Sequence, residues 1–272
     1  MRAGILILSL AAPVLAQRAP VQLGEIEGKT VLLFSPHPDD DMFCCAGTLA
    51  LMAKHRNSIQ IFIYTNGDKG SADPEMSSER MAAIRAREEI AASKILGIPE
   101  KNIHWLEYHD GMLEYADPRD LVEQVTKIIR AYRPDIVMAP DPGSEEVRWH
   151  KTDHRMAANN TIDAIRAAQW HLYFPNQRLH DGLMPWKVPA EAYYYVAEKD
   201  ANSWVNIDSV LGLKLDAAAA HVSQWPPSSE KYRADWDPKQ MQLMKDGLRA
   251  RQLKKDGHAV EAFRIAGGFN RQ

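Results

Sequence analysis

The sequence predicts an α/β fold: a mostly parallel sheet flanked by helices on both faces, in one domain with a C-terminal elaboration. Three observations predict it. From residue 30 to about residue 170, short apolar runs alternate with longer stretches of helical spacing, the mark of βαβ units. The loops after the apolar runs collect Asp, Asn, His, Gly and Pro. At 272 residues, 45% apolar and 25% charged, the chain is an ordinary globular composition long enough to cover a large sheet.

The elements follow in order. Residues 17–29 read as an extended lead-in. Gly28-Lys29-Thr30 resembles the end of a phosphate loop, but Gly24 stands one residue too close and the segment precedes its strand, so that reading fails. Val31–Phe34 is a buried strand, and a helix runs from near Met42 to His55. Ile59–Tyr64 is a second strand, ending in Thr65-Asn66-Gly67-Asp68-Lys69-Gly70. Ser78–Leu96 is helical, capped by Ser77 or Ser78 and stopped at Gly97, with Met81, Ile84, Ile90 and Ile95 on the spacing of one face. Ile103–Leu106 is the third strand, Leu121–Tyr132 the next helix, and Ile136–Ala139 the fourth strand; Thr152–Trp170 is again helical. Ala192–Val196 reads as a strand, Val210–Gln224 as a helix, and Pro238 to Arg264 as a charged helical segment. Parallel crossovers bring the loops after the strands to one edge, where His37 to Asp41, Asn66 to Lys69, Asp110 and Asp141 to His154 converge.

The N-terminus departs from the average. Met1-Arg2 and an apolar run from Ala3 to Ala16 fit a secretory signal peptide cleaved after Ala16. The run is too short for a comfortable membrane span, so no stable span is expected after cleavage, and the expected location is secreted or periplasmic. Cleavage removes only Arg2 among charged residues and takes the net charge from −3 to −4. Neither value suits a nucleic-acid binder, which needs a basic surface. The two cysteines, Cys44 and Cys45, are adjacent, a poor geometry for a stapling disulfide, and read as buried thiols.

The stretch Ser35-Pro36-His37-Pro38-Asp39-Asp40-Asp41 crowds one imidazole and three carboxylates at the end of a strand, where open α/β sheets carry their chemistry. Such a group needs a cation to hold it. His37 and Asp40, at i and i+3 across a strand-to-helix turn, join His154 to make a His-Asp-His set with positions open for water and substrate. Two imidazoles and a carboxylate suit Zn2+, and Fe2+, Co2+ or Mn2+ fit the same donors. Asp39 is the candidate general base; Asp41 and Asp153 are candidates for orienting imidazoles. Arg85 and Glu88 form either a helix-surface ion pair or a tie to the site loops. Asp110 is either a turn residue or a contact to substrate hydroxyls.

These motifs resemble the LmbE-like, or PIG-L, metal-dependent de-N-acetylases over about residues 30–265. The resemblance rests on Pro36-His37-Pro38-Asp39-Asp40, the Thr65–Gly70 loop, Arg85-x-x-Glu88 before Leu96-Gly97-Ile98, Asp110-Gly111, Asp153-His154-Arg155, His221-x-Ser223-Gln224 and Glu261-Ala262-Phe263-Arg264. It implies a Rossmann-like fold with residues 266–272 as a tail. It also implies zinc on His37, Asp40 and His154, Asp39 as base, and hydrolysis of an N-acetyl group from a small-molecule substrate of the glucosamine type. His221 joins the supporting or substrate-contacting candidates. The chain departs from the family where a His usually stands three before His154: Lys151 occupies that place and His150 precedes it. Either His150 or Lys151 then takes the oxyanion or acid role. An exported sugar- or metal-binding protein without turnover is the alternative; a nucleotide-binding fold lacks G-x-G-x-x-G after any strand.

Overall fold

The computed structural model describes residues 21–143 and 152–269 of the chain. The segment 1–16, read as a signal peptide, lies outside the described residues, as do His150 and Lys151. Five strands and their crossover helices follow the predicted order: β1 (Thr30–Ser35), α1 (Asp40–Lys54), β2 (Ser58–Thr65), α2 (Ser78–Ile95), β3 (Ile103–Tyr108), α3 (Pro118–Tyr132), β4 (Ile136–Pro140), α4 (Thr152–Ala168), α5 (Pro175–Leu179) and β5 (Ala190–Tyr194). Then come β6 (Ser203–Asn206), α6 (Leu211–Ala220), α7 (Pro238–Arg251), β7 (Lys254–Lys255) and β8 (His258–Gly267).

The strands build one eight-stranded sheet in the order β3-β2-β1-β4-β5-β8-β6, with β7 paired to β8. Neighbours from β3 to β5 are parallel, and β8 is antiparallel to β5, β6 and β7. Successive side chains point to opposite faces. Leu33, Ile61 and Met138 therefore meet α1, α2 and α6 on one face, with Leu49, Met52 and Ala92. Leu32, Phe34, Phe62 and Val137 meet α3 and α4 on the other, with Leu121, Val125 and Ala164. Each fully buried Leu, Ile, Val or Phe contributes about 1.5–3 kcal/mol. Val21 and Leu23 of the lead-in are buried in the first of these cores.

Three expectations are corrected. The segment from Pro238 is helical only to Arg251; Asp256 and Gly257, at φ +52° and +85°, then form a two-residue turn joining β7 to β8. Both positive φ values match the hairpin turn that Asp-Gly favours. In sequence β8 resembles a helix because a central strand buried on both faces shows a run of apolar residues without strict alternation. The helix expected over Val210–Gln224 ends at Ala220, since Ser223 is drawn instead to Glu88. Cys44 and Cys45, expected as thiols, are joined to each other in the first turns of α1, where the helix leaves Cys45 buried and Cys44 half-buried beside it. Among the described residues no helix is long and apolar enough to cross a membrane.

Candidate metal centre

β1 and β4 are neighbours from which the chain leaves in opposite directions along the sheet, so their following loops part and leave a crevice. One wall is the turn from β1 into α1. Ser35 Oγ donates to His37 O at 2.8 Å, and Thr65 at the end of β2 donates through N and Oγ1 to Pro36 O at 3.0 and 2.9 Å. The other wall is the first turn of α4, which carries Asp153 and His154.

The structure brings His37, Asp40 and His154 together, all buried. Asp40 Oδ2 lies 3.0 Å from His37 Nδ1 and 3.2 Å from His154 Nε2. A tetrahedral ion about 2.0–2.2 Å from each donor sets neighbouring donors about 3.4 Å apart, so the set fits a single small divalent cation. On its far side, His37 Nε2 faces Asp153 Oδ2 and Asp110 Oδ1, each at 3.1 Å. Two carboxylates there favour a proton on Nε2, which would leave the Nδ1 lone pair available to a cation. Burial opposes charge on His37, but hydrogen bonds to Asp110, Asp153 and Asp40 outweigh it and raise its pKa well above the usual value. Burial opposes charge on Asp40 too, yet His154 and His37 hold its pKa well below the carboxylate range. The pocket thus favours charge on His37 and an ionised Asp40.

Asp39 stands at the rim with 14% of its side chain exposed, and its Oδ2 lies 2.9 Å from Arg85 Nη2. Arg85 reaches from α2 and is itself only 3% exposed. It donates to Gly67 O at 3.3 Å and Pro38 O at 3.4 Å and lies 3.8 Å from Asp110 Oδ2. Gly67 is at φ +64°, and a Cβ there would fall 2.5 Å from Arg85 Nη1, so this loop needs glycine to admit the guanidinium. Of the two readings of Arg85, the tie to the site loops is the arrangement found. Glu88 turns away and accepts from Ser223 N and Oγ at 2.8 and 2.6 Å, while Gln224 Nε2 donates to Gly70 O at 3.1 Å.

Asp110, read as a turn residue or a substrate contact, directs its carboxylate at His37. The buried Asp68 holds that loop, accepting from Asp110 N at 3.0 Å and facing His109 Nδ1 at 2.7 Å. Asp153 orients His37, not its sequence neighbour His154, and accepts from Gly111 N and Leu113 N at 2.6 and 3.1 Å. Asp41 departs from expectation. Consecutive helical residues point about 100° apart, so α1 aims Asp41 away from the imidazoles. It is fully buried, and its carboxyl lies against that of Glu89, within hydrogen-bond reach. Burial, then Glu89, Asp39 and Asp40, push its pKa well up. His221 is likewise enclosed, 3.8 Å from Glu89 Oε2, and burial pushes its pKa down to about 4. It is a neutral, fully enclosed side chain beneath the site. Glu261 and Arg264 also serve the framework. Glu261 accepts from Gly47 N, Thr48 N, Thr48 Oγ1 and Lys214 Nζ at 2.6–3.0 Å, tying β8 to α1, and Arg264 Nε pairs with Asp141 at 2.6 Å.

Sequence reasoning missed Tyr195. It follows β5 at the site edge, and its hydroxyl donates to Asp40 Oδ1 at 2.9 Å. Burial, then Asp40 and Asp39, keep this phenol protonated by raising its pKa well above the usual value. The signal was the strand read at Ala192–Val196: a residue leaving a parallel strand at that edge faces the crevice.

Residues 32–165 match the PIG-L family, described as GlcNAc-PI de-N-acetylase. The diacetylchitobiose deacetylase of Thermococcus kodakarensis is 33% identical over 213 residues, 77% of this chain and 74% of that protein. A probable N-acetyl-alpha-D-glucosaminyl L-malate deacetylase 2 of Bacillus anthracis is 33% identical over 116 residues, 42% of this chain and half of that protein. Among solved structures, the N,N'-diacetylchitobiose deacetylase from Pyrococcus horikoshii, in complex with an inhibitor, superposes with a TM-score of 0.73 at 30% identity, covering 88% of this chain and 84% of that one. With its sheet order, its loop motifs and its relatives in agreement, the chain belongs to the PIG-L, or LmbE-like, family of metal-dependent de-N-acetylases, hydrolases of C–N bonds other than peptide bonds.

Proposed function

We propose that the chain removes the N-acetyl group from an N-acetylglucosamine-type sugar conjugate, with Zn2+ held by His37, Asp40 and His154. The observation that carries this is the single oxygen Asp40 Oδ2, shared at 3.0 and 3.2 Å by two imidazoles, with a second carboxylate, Asp39, at the rim beside it. Relatives named as deacetylases of diacetylchitobiose and of a glucosaminyl malate support the sugar. The mixed imidazole and carboxylate donors support zinc. When bound, the ion supplies Lewis acidity, polarising the acetamide carbonyl and acidifying water.

The chain's own groups do the rest. Asp153 and Asp110 fix the His37 tautomer. Arg85 holds Asp39 in place to take a proton from the attacking water. Water oxygen joins the acetyl carbon, the C–N bond breaks, and the proton returns to the amine nitrogen, giving a free amino sugar and acetic acid, which releases the second water proton to become acetate. His150 or Lys151 supplies the positive charge for the oxyanion or the departing amine. The apolar run from Ala3 to Ala16 supports export, and action outside the cytoplasm, secreted or periplasmic, is part of the proposal.

Metal analysis and acetate release from a panel of N-acetylglucosamine conjugates test the reading. Asp39→Asn should keep its metal while kcat falls by about 10²–10⁴-fold. Metal-loaded wild-type protein that frees acetate from none of the conjugates would refute the proposal.

A further inference from the structure

Tyr195 is 155 positions from Asp40 in the chain, yet it touches two of the three residues of the metal centre. Its backbone is at φ +57°, a left-handed conformation rare outside glycine, at the point where the chain leaves β5. The hydroxyl donates to Asp40 Oδ1 at 2.9 Å and also approaches Asp40 O at 3.2 Å. The ring lies parallel to His154, 8° between planes and 5.4 Å between centroids.

A carboxylate offers two equivalent oxygens and rotates about its Cβ–Cγ bond. Engaging Oδ1 with an O–H donor breaks that equivalence. Oδ2 is then the oxygen left facing His37 Nδ1 and His154 Nε2. We propose that Tyr195 is a positioning residue of the metal centre: its hydroxyl selects Asp40 Oδ2 as the ligand oxygen, and its ring fixes the plane of His154. Packing is the competing explanation, because Tyr195 also borders a cavity of about 290 Å3 lined by residues such as Phe43, Leu215, Leu248 and Val260.

Removing one oxygen separates the two. Tyr195→Phe keeps the ring and its volume, so the packing and the fold stay. The measurement is Zn2+ affinity of the metal-stripped full chain in competition with a chromophoric chelator, beside the melting curve of the metal-free protein. The inference rests on metal binding at this site but not on the substrate. Tyr195→Phe should weaken Zn2+ binding by about 10–100-fold, the usual cost of losing a partner behind a ligand, with metal-free melting unchanged. Tyr195→Ala, losing the ring as well, should bind more weakly still; if it does not fold, Tyr195→Phe decides alone. Wild-type Zn2+ affinity in Tyr195→Phe, with or without a lower metal-free Tm, overturns the proposal. Wild-type protein that binds no Zn2+ overturns the metal centre itself, so the two failures are read apart.

Discussion

Replacing Glu89 with Gln probes the polar layer beneath the metal centre. Glu89 is fully enclosed; Oε1 accepts from Ser93 Oγ at 2.9 Å, and the carboxyl lies within hydrogen-bond reach of Asp41. Burial pushes its carboxyl from the usual 4.5 up to about 7, with Ser93 opposing the rise and Asp39 adding to it. The native state therefore holds this proton more tightly than the unfolded chain does. Its contribution to stability is complete below pH 4.5 and is lost as the pH rises through about 7. Across that interval the loss is about 3 kcal/mol at about 1.36 kcal/mol per pH unit, an upper bound because Asp41 shares in the same ionisation. Glu89→Gln keeps the shape and the acceptor for Ser93, cannot ionise, and offers an N–H toward Asp41. At pH 8 the variant should be more stable than wild type by about 1–3 kcal/mol, raising Tm by about 2–10 °C. At pH 4.5 the two should melt together. Calorimetric melts of both proteins at several pH values, under identical metal, give the difference directly and cancel the pH dependence of metal binding. A difference that stays constant with pH, or a variant less stable at pH 8, would refute the reasoning.

Two further outcomes concern the site. In Asp153→Asn an amide N–H replaces one oxygen: either it meets Gly111 N–H and His37 Nε2–H, or it meets Leu113 N–H. A donor then faces a donor in both orientations, and Zn2+ affinity should fall by about 10–100-fold in a chelator competition; unchanged affinity would show that Asp153 does not set the His37 tautomer. His150→Ala should lower kcat by about 10²-fold in an acetate-release assay, the size of effect expected for one acid or oxyanion donor. An unchanged kcat would assign that role elsewhere, with Lys151 the next residue to replace.

Much of the architecture is legible in the sequence alone. β1 to β4 and their helices were readable because strands buried on both faces are short apolar runs, and crossover helices carry their own period and caps, as Ser77 does for α2. The convergence of the loops on one edge followed from parallel connection alone. His37 and Asp40 were readable as a pair because a three-residue spacing across a turn is a local property. β8 was not, since a central strand with little alternation looks like one face of a helix when the Asp256-Gly257 turn is overlooked.

What only the tertiary structure decided is which group serves which. Asp110 and Asp153 both face His37, Arg85 takes Asp39 rather than Glu88, Asp41 turns to Glu89, and Tyr195 takes Asp40. Sequence pattern determines which way a residue faces within its own element, because that depends on the local period. Hydrogen-bond partners 40 to 155 positions apart depend on strand register and helix packing, which no local period encodes. The sequence alone determined that a cation-binding set stands at the carboxyl edge of the sheet; packing decided how its ligands are aimed.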